Sequence, residues 1–202
     1  MENRISRPLA SEIANSAALN GLRTAGVIAA GSLFVAVSSH MALPLWFTPV
    51  PLTMQPFAVL LLGLLLGPRL AAVTLVTYLL EGAAGLPVFA PGFALGGGMA
   101  HLLGPTGGYL MSYPAVAALV SWMWRRSARG FGAAIMSAAA GDALILLCGF
   151  AWLAVWTHGT SSQWSIGSAF SLGVLPFLPG DALKVVAAGA IVKGLDRVRR
   201  KQ

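Results

Sequence analysis

An acid and a base, Asp181 and Lys184, stand three residues apart in the run FLPGDALK (177–184), near the start of a long apolar stretch. On a helix that spacing puts both side chains on one face. Pro179 and Gly180 come just before them, so Asp181 either caps the helix or occupies its first turn, where an anion is favoured. Ionisable groups in apolar surroundings are costly and face a polar cavity or each other. Two chemistries are open to the pair: an internal ion pair that fixes the helix start, or a ligand site in which a carboxylate accepts and an ammonium donates. Asp142 is a further acid inside an apolar run (131–156). It either pairs with a donor on another helix or lines a central cavity. Gln55 is a polar side chain at the mouth of the run FAVLLLGLLL (57–66).

The chain that must position these groups has the composition of a membrane protein. Of its 202 residues 57% are hydrophobic and 9% charged, against roughly 25% charged in soluble domains. The formal charge of +7 invites a nucleic-acid reading, but the basic residues fall in short clusters between long uncharged runs, without the aromatic interleaving of a base-stacking groove. The single cysteine, Cys148, excludes an internal disulfide, and the three histidines are too scattered to suggest a metal centre. Neither G-x-G-x-x-G after a strand nor G-x-x-x-x-G-K-[ST] is present, so the glycines do not form a phosphate-binding sequence. No cofactor is implied. The polar first twenty residues lack the core of a removable signal peptide.

The spacing of apolar runs predicts an all-α membrane protein: one domain with six transmembrane helices in a compact bundle, over 24–193. Residues 1–22 read as a cytoplasmic tail and 194–202 as a basic tail. The spans fall at 24–43, 54–66, 70–84, 109–124, 131–156 and about 168–193. The second is short and needs tilt or protein cover. Gly67-Pro68-Arg69 forms the turn after it. Between the third and fourth spans lies a long, apolar, glycine-rich outer loop, suited to a lid packed over the membrane domain. With both termini cytoplasmic, twelve of the thirteen basic residues fall inside and the remaining one is Lys184, which agrees with the positive-inside rule. Ala25 with Ala29, and Gly26 with Ala30, form small-xxx-small pairs on the first span; they serve either packing within the chain or close approach of another helix.

In their order and spacing, PVPLTMQPFAVLLLGLLLGPR (49–69), GLPVFA (85–90), GPTGGYL (104–110) and PFLPGDALK (176–184) resemble the BioY family, the biotin-specific substrate-capture components of energy-coupling factor transporters. The resemblance extends over roughly 25–192. It implies six helices around an externally accessible biotin pocket in the plasma membrane of a prokaryote. It also implies a non-enzymatic role, high-affinity capture of biotin, with a transmembrane scaffold component and two ABC-type ATPase subunits as partners. Asp181 and Lys184 match the family's paired polar binding residues, Asp181 against the ureido N–H groups and Lys184 on the carboxylate or the pocket network. Tyr78, Tyr109 and Gln55 are further candidate ligand contacts. The family also uses a basic residue from the long loop, where this chain offers only His101. The scaffold contact maps to Ala25 and Ala29, or to Gly26 and Ala30. A carrier that works without ATPase partners is the second reading. A membrane enzyme using Asp142, Asp181 and Lys184 is a third, but it lacks a metal cluster, a Ser/His/Asp constellation or a paired-carboxylate motif.

Overall fold

The structure, a computed structural model, describes residues 6–91, 97–160 and 166–199. Its elements in chain order are α1 (Ser6–His40), β1 (Ala42–Leu43), β2 (Leu52–Thr53), α2 (Gln55–Leu65), α3 (Pro68–Ala83), α4 (Met99–Leu102), α5 (Gly107–Arg126), α6 (Phe131–Thr160), α7 (Ile166–Gly173) and α8 (Leu178–Arg199). Among the described residues, the regular structure is helical apart from one small antiparallel ladder, in which Ala42 pairs with Thr53 and Leu43 with Leu52. Four prolines between residues 44 and 56 keep this hairpin from becoming helix.

The bundle is built around α2. Every residue from Ala58 to Leu64 is buried, and α2 packs against α1, α5, α6 and α8. Eleven residues make a helix only about 16 Å long at ~1.5 Å per residue, roughly half the apolar thickness of a bilayer. Enclosure resolves the difficulty, because the neighbouring helices rather than lipid surround it. Pro56 lies in its first turn, where the missing N–H costs nothing. It ends at an extended Leu66, Gly67 stands at the N-cap of α3 and Pro68 opens that helix, as the Gly-Pro-Arg turn predicts. On α6, a Cβ at Gly141 would come within 2.3 Å of Val120 and 2.9 Å of Leu60. Only glycine lets α6 approach both α5 and α2 at this level.

Among the described residues, two helical stretches, Ser16–His40 and Phe131–Trp156, are long and apolar enough to cross a membrane by themselves, and a third forms if the bent pair α7–α8 counts as one. Two sequence expectations gain detail here. The lead up to residue 22 is helical from Ser6, continuous with the first span in α1. The last span is not one rod over 168–193: α7 and α8 meet at 47°. Pro176 lacks the N–H that a continuous helix would need there, and the carbonyl of Phe170 accepts from both Val174 and Leu175 as the first segment closes. The outer connection expected at 157–166 falls in part on residues outside those described. The long loop after α3 folds back onto the bundle. Tyr78 and Ser39 both donate to the carbonyl of Val88, at 3.0 and 2.7 Å, and Phe89 and Ala90 are buried.

Candidate functional site

The break between α7 and α8 places the acid–base pair. Asp181 lies in the first turn of α8, its N–H donating to the carbonyl of Phe177 at 2.8 Å. Lys184, one turn on, donates to Asp181 Oδ1 at 2.7 Å. Both are almost closed to solvent, at 3% and 5% exposure. A buried pair this close is an ion pair, and the first alternative posed by the sequence is therefore realised. So is the geometry required by the second, because both residues also line a cavity.

That cavity lies between α2, α5, α6, α8 and the folded-back loop, with about 40 Å³ of free volume. One wall is Thr53 and Gln55 at the head of α2. Another is Tyr109 and Tyr113 on α5, with Ile145 and Leu146 on α6 beside them. Phe177 closes the side next to Asp181, and Ala90 and His101 form the roof. Most of this surface is apolar, with polar side chains set apart on both walls, in the roof and at the head of α8. Such a cavity suits a compact apolar molecule with a few hydrogen-bonding groups.

The supporting contacts explain why these side chains hold their positions. Gln55 donates to Tyr78 Oη at 2.6 Å. Tyr78 is fully buried and stands behind Gln55, joining it to the loop through Val88. Tyr109 donates to the carbonyl of Gly173 at 2.6 Å, which pins the end of α7 to α5. Its ring occupies the space a Cβ at Gly149 would need, 2.0 Å away, so α6 carries glycine where the tyrosine crosses it. In the roof, His101 stacks on Phe89 with ring centroids 5.1 Å apart, and Phe89 meets Tyr78 edge-on at 5.5 Å. Burial pushes the His101 imidazole below the ordinary histidine range.

The structure thus brings Asp181, Lys184, Gln55, Tyr109 and His101 to one cavity and puts Tyr78 one hydrogen bond behind it. Asp142 is buried at 8% exposure, one turn from Ile145 and Leu146. Sequence reasoning missed Tyr113, Thr53 and Phe177. Tyr113 follows Tyr109 by four residues, a spacing that shares one helical face, so a signal for it existed. Ala25, Gly26, Ala29 and Ala30 are exposed, and a Cβ at Gly26 would meet no atom within 4 Å. Packing among the described residues does not use this face.

Comparison with known proteins points in one direction. The model of the BioY family matches residues 9–201. The chain is 40% identical over 165 residues to a probable biotin transporter BioY of Pyrococcus horikoshii, covering 81% of this chain and 92% of that one. It is 34% identical over 164 residues to the biotin transporter BioY of Thermotoga maritima, covering 81% and 90%. Among solved structures it is similar to the S-component for biotin from an ECF-type ABC transporter, with a TM-score of 0.75 and 26% identity over 91% of this chain and 93% of that one.

Proposed function

The chain belongs to the BioY family, and we propose from that membership and from the cavity that it captures biotin beside Asp181 and Lys184 as the substrate-specific subunit of an energy-coupling factor importer. The observation that carries this reading is the closed acid–base pair lining a mostly apolar cavity. Biotin has the complementary distribution: an apolar bicycle and chain, a ureido group and a carboxylate. Asp181 accepts from ureido N–H, Lys184 completes the pair, and Gln55, Tyr109 and His101 contribute from the walls and roof. Tyr78 acts through Gln55 and the loop. The chain's work is binding and release, with no chemical change in the vitamin.

The same reading makes this a membrane protein of the prokaryotic plasma membrane, crossed six times by α1, α2, α3, α5, α6 and the bent pair α7–α8. Arg69, Arg125, Arg126, Arg129, Lys193 and Arg197 gather in the turns and helix end on the side away from the roof, which supports a cytoplasmic placement of that side and of both termini. The cavity then opens outward beneath the loop between α3 and α5. Energy comes from a transmembrane scaffold component and two ABC-type ATPases, and the exposed small residues of α1 supply the scaffold contact.

Calorimetric titration of the purified chain with biotin, biotin amide and unrelated vitamins tests the ligand. Biotin alone should bind tightly, and equal binding of an unrelated vitamin would overturn the assignment. Uptake in cells stripped of scaffold and ATPases tests the coupling. Undiminished uptake there would favour an autonomous carrier.

A further inference from the structure

Asp142 Oδ1 is a buried oxygen with no hydrogen-bond partner among the described residues. Folded proteins leave few such atoms, and each requires an explanation. Its position supplies one. Ile145 and Leu146, three and four residues further along α6, line the biotin cavity, so Asp142 shares their face one turn deeper. Contact between α6 and α8 fixes the depth: a Cβ at Gly189 would lie 3.1 Å from Ile135. From that level it is about 10 Å along α6 to Asp142 and about 8 Å along α8 to Lys184, at ~1.5 Å per residue. The two residues therefore lie within one turn of the same depth. Asp142 is within electrostatic reach of both Asp181 and Lys184.

The polar inventory at this level is two carboxylates and one ammonium. Lys184 has three N–H donors, and among the described residues Asp181 is its only acceptor. Two donors on Lys184 and one acceptor on Asp142 are left uncommitted. A cyclic urea presents two N–H donors flanking one carbonyl. Carboxylate, ammonium and carboxylate present the opposite sequence of acceptor, donor and acceptor.

Resting on the biotin reading above, we propose that Asp142 is a third polar contact of the site. Asp181 takes one ureido N–H, Asp142 takes the other, and Lys184 donates to the ureido carbonyl. The orphaned oxygen lies behind the lining of the cavity, closed to solvent, and the ligand reaches it by seating one turn deeper than the cavity as it stands. This assigns recognition of the urea to residues from two helices, α6 and α8, instead of α8 alone. Ligands with one N–H in the ring are then discriminated by which carboxylate they leave empty.

The test uses the full chain in detergent and calorimetric titration with biotin and with two cyclic-carbamate analogues, each having oxygen in place of one ureido N–H. Asp142→Asn should weaken biotin binding by roughly ten- to a hundredfold, the range for losing a hydrogen bond to a charged group. Against the analogue lacking the N–H that Asp142 takes, parent and variant should bind within about twofold, while the other analogue retains the full difference. Biotin affinity within about twofold of the parent would overturn the proposal. So would equal losses against both analogues, the signature of a general structural effect. If Asp142→Asn does not fold, the same titrations on Asp142→Ser decide between these outcomes. Failure of the parent chain to bind biotin would remove the underlying reading, and this proposal with it.

Discussion

Gln55 on α2 donates its side-chain N–H to Tyr78 Oη on α3 at 2.6 Å, and Tyr78 passes a hydrogen bond on to the carbonyl of Val88 in the loop that roofs the cavity. One hydroxyl thus connects a wall of the site to its cover. Tyr78→Phe keeps the ring and its edge-on contact with Phe89 but leaves the Gln55 donor and the Val88 carbonyl each one partner short. Biotin should dissociate about three- to tenfold faster, as expected for a loosened cover and one lost neutral hydrogen bond. Stopped-flow release kinetics measure this. An unchanged off-rate would mean that Ser39, the other donor to Val88, holds the loop alone.

The Asp181–Lys184 pair separates stability from binding. Taking away one partner strands a buried charge, which typically costs about 3–5 kcal/mol. Asp181→Asn and Lys184→Met should each lower the melting temperature of the unloaded protein. The double variant should recover most of that loss, since replacing a whole buried pair is often close to neutral. None of the three should bind biotin well, and Asp181→Asn alone should weaken it by roughly a hundredfold, the upper range for a charged hydrogen bond. Melting curves and titrations of the three proteins check both halves. Parental affinity in folded Asp181→Asn would take Asp181 out of the site.

The acid–base pair was legible because its spacing of three, its Pro-Gly lead and the apolar run behind it all act within one turn of helix. The turn at Gly67 and Pro68 was legible for the same local reason. The break before α8 was not, although Pro176 was visible. A proline permits a bend, but which helix holds the two sides apart depends on Tyr109 reaching Gly173, a contact between residues 64 apart. The roof is similar. Nothing in GLPVFA or in the neighbourhood of His101 shows that Phe89 will lie against both His101 and Tyr78, since those contacts exist only once the loop has folded back. Tyr78 was a candidate ligand contact through the family resemblance alone, and the commitment of its hydroxyl between Gln55 and the loop is not a pattern the local sequence displays.

His101 makes docking of the roof sensitive to pH. Burial holds its imidazole below the ordinary range in the folded-back loop, so the undocked loop binds the proton more readily. Docking is therefore at full strength above the ordinary histidine value of about 6.5. It weakens as pH falls from there through the depressed value of the docked state. Hydrogen exchange over 85–91 and 97–106 in the unloaded protein should accelerate, relative to the rest of the chain, between about pH 7 and pH 5. His101→Gln, which stays neutral, should flatten that dependence. The same slope in the variant would place the titrating group elsewhere.

The open face of α1 separates a partner contact from a folding requirement. A Cβ at Gly26 meets nothing within 4 Å, whereas one at Gly31 would fall 2.6 Å from Thr74 Cγ2 on α3. Bulk added at the two positions should therefore act through different steps. Gly31→Leu forces α1 away from α3 and from the Ser32–Glu81 hydrogen bond beside it, so it should lower the melting temperature and the yield of folded protein. Gly26→Leu and Ala29→Leu change only surface that this chain leaves uncovered. Melting temperature and biotin affinity should remain within error of the parent. If the scaffold component seats a helix on that face, uptake in cells containing the whole importer should fall by about tenfold or more, because close helix approach depends on small residues. Co-purification of the scaffold should fall with it. Full uptake by both leucine variants would move the contact off these four residues, and a matching loss of biotin affinity would show that the face serves the cavity instead.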